Sequence, residues 1–119
     1  MTKFDLENRL INFSTSIIKL STEIPNSYVG YHLSKQIIRS GTSVSLNYGE
    51  AQASESKKDF IHKMKIVLKE LRETKICLKL LIKSKLFKNK QSMDSTYSEC
   101  DELIAIFVKS LTTVKKNNH

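Results

Sequence analysis

The stretch SKKDFIHKMKIVLKELRETKICLKLLIKS, residues 56–84, decides the fold. Phe60, Met64, Val67, Leu71, Leu78 and Ile82 recur at helical spacing, and no Gly or Pro interrupts them. Ser56 and Asp59 match the looser form of a capping box, so a helix is predicted from about Lys57 to Ser84. At 1.5 Å per residue it is roughly 40 Å long. Such a helix carries one apolar face and needs neighbours of similar length to bury it.

Those neighbours are legible on both sides. Phe4, Leu6, Leu10, Phe13, Ile17 and Leu20 mark a helix over about residues 3–22, which Pro25 stops. After the turn at Asn26-Ser27, where Ser27 can cap, Leu33, Ile37, Ser40, Val44 and Ala51 mark a second helix over about 28–51, with Tyr48 beside the stripe. Its small residues around Gly41 weaken helix propensity, yet the period runs through them. That continuity predicts close approach of a neighbouring helix rather than a break. Downstream, Lys85 to Gln91 reads as a polar connection. Ser92 or Asp94 then caps a fourth helix, about 94–115, with Met93, Tyr97, Cys100, Ile104, Phe107 and Leu111 on its stripe. The tail from Lys116 to His119 is expected to fray.

Four such helices with short loops predict an all-α, up-down-up-down four-helix bundle, one domain over residues 1–119. Pro25 and the two later loops argue against one sustained coiled coil. With only 3 Gly and 1 Pro, the chain lacks the tight turns of a β-sandwich and the Gly-rich loops of a doubly wound α/β fold.

The formal net charge is +8, and it is not spread evenly. Residues 1–25 and 26–55 are each neutral, and residues 92–119 carry −1. Residues 56–91 hold twelve Lys or Arg against Asp59, Glu70 and Glu73, a net +9. On a helical wheel Lys58, Lys65, Lys69, Arg72, Lys79 and Lys83 fall within an arc of about 80°, opposite the apolar stripe, with His62 at the edge. Such a ladder can follow a phosphate backbone, and it can equally be a solvated face. No aromatic residue interleaves it, so contact would be to phosphates rather than bases.

Ile76 and Leu80 fall on or near the basic side, and Ile66 and Cys77 lie between the faces. A helix in one bundle core uses a single stripe. The surplus predicts a second, intermolecular contact through Ile66, Ile76 and Leu80, hence a homo-oligomer.

Catalytic and cofactor signatures are missing. Gly30, Gly41 and Gly49 form neither a dinucleotide fingerprint nor a phosphate loop. His32, His62 and His119 are far apart, without the Glu-x-x-His pairs of a di-metal bundle. Cys77 and Cys100 suggest neither a disulfide framework nor a zinc site, and both read as small core residues. We therefore expect a non-enzyme with no metal and no cofactor. No apolar run reaches the roughly 20 residues of a membrane span, and the first residues lack a signal-peptide core. The expected location is the cytoplasm, with no membrane partner.

The stretch Gln36-Ile-Ile-Arg39-Ser40-Gly-Thr-Ser43-Val-Ser-Leu-Asn47-Tyr-Gly-Glu50 resembles a signature of the four-helix bundle proteins encoded in intervening sequences of bacterial large-subunit ribosomal RNA genes. Their pattern reads Gln-x-x-Arg-Arg/Ser-x-x-Ser-Ile-x-x-Asn-Ile-x-Glu-Gly. A Ser-containing loop, a Phe after an acid and a Leu-rich helix with a Glu-Leu pair follow it. Ser54 or Ser56, Asp59-Phe60 and Glu70-Leu71 fill those places, and Glu73-Thr74 continues the match. Tyr48 replaces the usual Ile, and Ala51 stands where Gly is common. The resemblance spans about residues 4–112. It implies a left-handed bundle assembled as a ring, a pentamer being the expected form, with no enzymatic activity. A similar bundle, the accessory protein of diversity-generating retroelements, is basic and pentameric and works with a reverse transcriptase and nucleic acid.

The residues of that signature also have a physical reading. Ser40, Ser43 and Asn47 share one side of the second helix, with Arg39 and Glu50 near it. A polar network across to Glu70, Glu73 and Thr74 follows, serving either helix register or a binding site. The expected function is thus nucleic-acid binding, RNA rather than DNA, through the ladder; a structural or adaptor oligomer with a protein partner is the alternative.

Overall fold

The protein is described by a computed structural model over residues 1–116. Asn117, Asn118 and His119, most of the tail expected to fray, lie outside the described residues. Four helices follow one another: α1 (Lys3–Ser21), α2 (Tyr28–Gln52), α3 (Lys57–Lys83) and α4 (Lys90–Lys116). Each packs on its sequence neighbours and α4 closes back on α1. The result is an all-α bundle, 49 × 21 × 21 Å.

The ends are set by local chemistry. Thr2 caps α1 in a full capping box, its hydroxyl accepting from the Asp5 N–H and the Asp5 carboxylate accepting from the Thr2 N–H. That backbone hydrogen bond, more than any other contact, lowers the Asp5 pKa from its ordinary value. Ser27 caps α2 by accepting from the Gly30 N–H, and Ser56 caps α3 by accepting from Asp59 N–H. The fourth helix departs from expectation. It begins at Lys90, not near residue 94, because the Asn89 side chain accepts from the Ser92 N–H and takes the role expected of Ser92 or Asp94.

The core runs the length of the bundle. Leu10 and Ile17 of α1, Ile37 and Val44 of α2, Val67, Leu71, Leu78 and Leu81 of α3, and Cys100, Leu103 and Phe107 of α4 are all sealed from solvent. Each large side chain buried this way stabilises the fold by roughly 1.5–3 kcal/mol. Tyr48 meets Phe107 edge-on, with ring centroids 5.8 Å apart. Two stripe residues miss this core: Phe4 of α1 is 65% exposed, and Ile82 is exposed at the end of α3. Leu81 takes the place expected of Ile82, while Leu103 and Thr96 join the core of α4 outside its predicted stripe.

No break occurs at Gly41. A Cβ there would lie 2.7 Å from the Ile17 side chain, so only glycine lets α1 and α2 approach this closely. The freed space is used at once: the Ser14 hydroxyl donates to the Gly41 carbonyl at 2.6 Å and shares a 2.6 Å hydrogen bond with the Ser45 hydroxyl.

Candidate nucleic-acid interface

The packing of α3 between α2 and α4 sorts its cations into two sets. Lys63 leans toward α2 and pairs with Glu50 at 3.2 Å, and Lys75 leans toward α4 and pairs with Asp101 at 2.6 Å. The Asp101 hydrogen bond raises the Lys75 pKa. Lys58, Lys65, Lys69, Arg72, Lys79 and Lys83 point away from both neighbours. All six are exposed, and among the described residues no ion pair with an acid engages them. The helix thus neutralises its flanking charges and leaves its outer ridge uncompensated.

At the N-terminal end of the ridge, Lys57, Lys58, Ile61, His62 and Lys65 line an open cleft of about 460 Å³. Four nitrogen-bearing side chains around one concavity can gather an anionic group. Farther along, Ile76 and Leu80 are 53% and 50% exposed, while Ile66 is half-buried. Ile76 stands on the ladder's own face, between Arg72 and Lys79 along the helix. A subunit seated on Ile76 would therefore cover the ladder.

On its opposite flank α2 meets α3 through polar groups. The Thr74 hydroxyl donates to the Ser40 hydroxyl at 2.8 Å, with both residues fully buried. Arg39 reaches across to Glu70 at 3.3 Å and also pairs with Glu73. Glu70 is a buried acid, so the Arg39 charge offsets a large desolvation penalty. Ser43 and Asn47 do not cross. The Ser43 hydroxyl donates to the Arg39 carbonyl and the Asn47 amide to the Ser43 carbonyl, both within α2. Glu50 stands apart at the surface with Lys63. Among the described residues every buried side-chain polar atom has a partner, so this network has no vacant valence aimed at a ligand.

The profile of the 23S rRNA-intervening sequence proteins matches residues 2–109. The chain belongs to that family. A crystal structure from Bacteroides thetaiotaomicron, described as a protein with unknown function from the S23 ribosomal protein family, superposes with a TM-score of 0.84. It is 31% identical and covers 94% of this chain and 99% of its own. No curated protein matches the chain at a significant level.

In this 23S rRNA-intervening sequence family member, the pairing of α1 with α4 was not legible beforehand. Arg9 forms a bidentate pair with Glu99 at 2.7 and 2.8 Å, with Glu102 at 3.4 Å. The Glu99 hydrogen bond raises the Arg9 pKa further. Ninety residues separate the partners, and no sequence spacing announces them. The cysteines are free and buried. Burial pushes the Cys77 thiol up, opposed by the Arg39 charge, and pushes Cys100 up to about 12. Cys100 donates to the Leu71 carbonyl, so it packs and hydrogen-bonds as a core residue. Among the described residues no group of three or more His, Cys, Asp or Glu could hold a metal ion. No described helix is long and apolar enough to cross a membrane.

Proposed function

We propose that this protein is a non-enzymatic, cytoplasmic homo-oligomer that binds nucleic acid, RNA rather than DNA, through the outer ridge of α3. One observation carries the reading: Lys58, Lys65, Lys69, Arg72, Lys79 and Lys83 are exposed together, free of acidic partners among the described residues, on a helix whose Lys63 and Lys75 are paired with acids. Binding would proceed by phosphate neutralisation and counterion release, with little sequence preference. The family's description, which refers to 23S rRNA intervening sequences, supports RNA as the first polyanion to try. The assembly implied by the family resemblance is a ring, and a pentamer is the form we expect.

Fluorescence anisotropy with labelled single-stranded RNA and DNA tests the reading. Six phosphate contacts on a single strand predict an affinity loss of about three hundredfold between 50 and 200 mM salt. Replacing Lys65, Lys69 and Arg72 together with Glu should abolish binding and leave the circular dichroism spectrum unchanged. Affinity that stays flat with salt, or no binding at low salt, overturns it.

The exposed Ile76 and Leu80 favour a second reading, in which the ridge docks an acidic protein with an apolar patch. Nuclease treatment during purification separates the two: co-purifying absorbance at 260 nm disappears only if the partner is nucleic acid.

A further inference from the structure

The outer ridge of α3 is not uniform along its length. From Lys58 to Lys83 its positions step by four and three residues in turn, so they form one straight line of about 37 Å. The first five positions, Lys58 to Arg72, are His62 or a cation. The sixth is Ile76, and Leu80 follows one turn later beside Lys79, with Lys83 beyond it. Ile76 and Leu80 are 53% and 50% exposed, although α3 already has a complete buried face. Glu73, one turn before Ile76, is paired with Arg39.

Whatever covers Ile76 and Leu80 must also lie on the cations around them. The segments of this chain sum to zero, +9 or −1, so a second copy supplies no matching excess of acid. A stable protein interface buries more than about 1,000 Å² around an apolar centre. Two half-exposed aliphatic side chains walled by Arg72, Lys79 and Lys83 are a poor start for one. A linear polyanion needs only the line itself, and the line is charged from end to end.

The apolar pair then distinguishes between forms of polyanion. A duplex turns its phosphates outward and keeps its base faces in the stack, so Ile76 and Leu80 gain nothing from its backbone. A single strand leaves base faces free, and Ile and Leu are among the apolar side chains that cover exposed base faces.

We infer that the ridge takes single-stranded rather than duplex RNA, with unpaired bases seated on Ile76 and Leu80 while the cations on either side hold the phosphates. The inference rests on the nucleic-acid reading above and adds bases to its contacts. It brings no sequence preference, since every base has an apolar face. It also gives Ile76 and Leu80 a partner that uses the ladder, whereas a subunit seated on Ile76 would cover it.

Fluorescence anisotropy on the full chain tests it, with labelled RNA as a single strand, as a duplex of the same sequence, and as a ribose-phosphate strand of the same length without bases. Charge alone favours the duplex, which packs its phosphates more densely. Wild type should nevertheless prefer the single strand, and should bind the base-free strand about tenfold more weakly. The double variant Ile76→Ser/Leu80→Ser should lose about tenfold for the single strand, keep its duplex affinity and keep the helical spectrum. The base-free strand needs no variant, so it decides the matter even if the serine pair disturbs the fold. A wild type that binds duplex or base-free strand as tightly as single-stranded RNA overturns the inference and leaves the nucleic-acid reading standing. So does a folded serine variant with wild-type affinity for the single strand, which favours an acidic protein on Ile76 and Leu80. No binding to any of the three at low salt overturns both.

Discussion

Helix α2 is held differently on its two flanks. Toward α1 the contact is made of small residues: Gly41 admits Ile17, and Ser14 and Ser45 meet over its backbone. Toward α3 it is made of charge and hydroxyls: Arg39 with Glu70 and Glu73, Glu50 with Lys63, Ser40 with Thr74. The first flank depends on shape, so its tolerance for change is set by volume. The second depends on pairing, so its tolerance is set by what is left unpaired. The difference also explains where charge remains on the outside. Acids of α2 and α4 pair with Lys63 and Lys75 of α3, and among the described residues no acid pairs with the ridge.

The comparison can be broken most forcefully at Gly41. Gly41→Val drives two methyl groups into the fully buried Ile17, and we expect a loss of about 3 kcal/mol in urea unfolding. A neutral result would mean that the α1–α2 flank is not limited by volume. Next comes Arg39→Ala, which leaves Glu70 buried without its cation. Half of the Arg39 side chain is exposed and water can screen the pair, so the expected loss is about 1–2 kcal/mol. Arg39→Ala combined with Glu70→Gln should recover part of it; no recovery would show that the guanidinium acts through packing alone. Lys63→Ala, on the same flank but paired at the surface with the exposed Glu50, should cost no more than about 0.5 kcal/mol.

The α3–α4 seam extends the comparison to alkaline pH. Burial raises the Cys100 thiol to about 12, so the native state keeps a proton that the unfolded chain gives up in the ordinary thiol range. The unfolded state then binds fewer protons, and stability falls as pH rises from that range toward about 12. Below it the contribution is fully present. Urea unfolding at a series of alkaline pH values should show this decline, shallower in Cys100→Ala. An unchanged slope would rule out Cys100 as its source.

Most of the architecture was legible in the residues. Helical spacing marks all four segments, Pro25 ends the first, and Ser27 and Ser56 serve as the caps they resemble. The start of α4 was misplaced because Asn89, read as part of the polar connection, accepts from the Ser92 N–H ahead of the expected caps Ser92 and Asp94, and which of these neighbours caps is set by the arriving backbone. Phe4 was counted with the core because it continues the spacing of its neighbours, yet it is turned outward. A stripe wide enough to look like one face can be split between a core and a surface, and spacing alone does not divide it. The signature residues of α2 divided in the same way. Arg39 and Ser40 reach α3, whereas Ser43 and Asn47 bond their own helix.

The sequence by itself determined that there are four amphipathic helices, that a small-residue stretch crosses the middle of α2, and that the charge excess belongs to α3 and its following loop. These are local or additive properties: a helix face repeats every few residues, and charge is a sum over a segment. Only the tertiary structure decided which cations are neutralised and which stay open. Lys63 and Lys75 differ from Lys65 and Lys79 in phase alone, and phase acquires meaning when Glu50 and Asp101 arrive from other helices. Only the tertiary structure paired Arg9 with Glu99, and only it seated Ile17 against Gly41. A neighbour across a bundle is chosen by how whole helices pack, and that choice is not written in the spacing of any one of them.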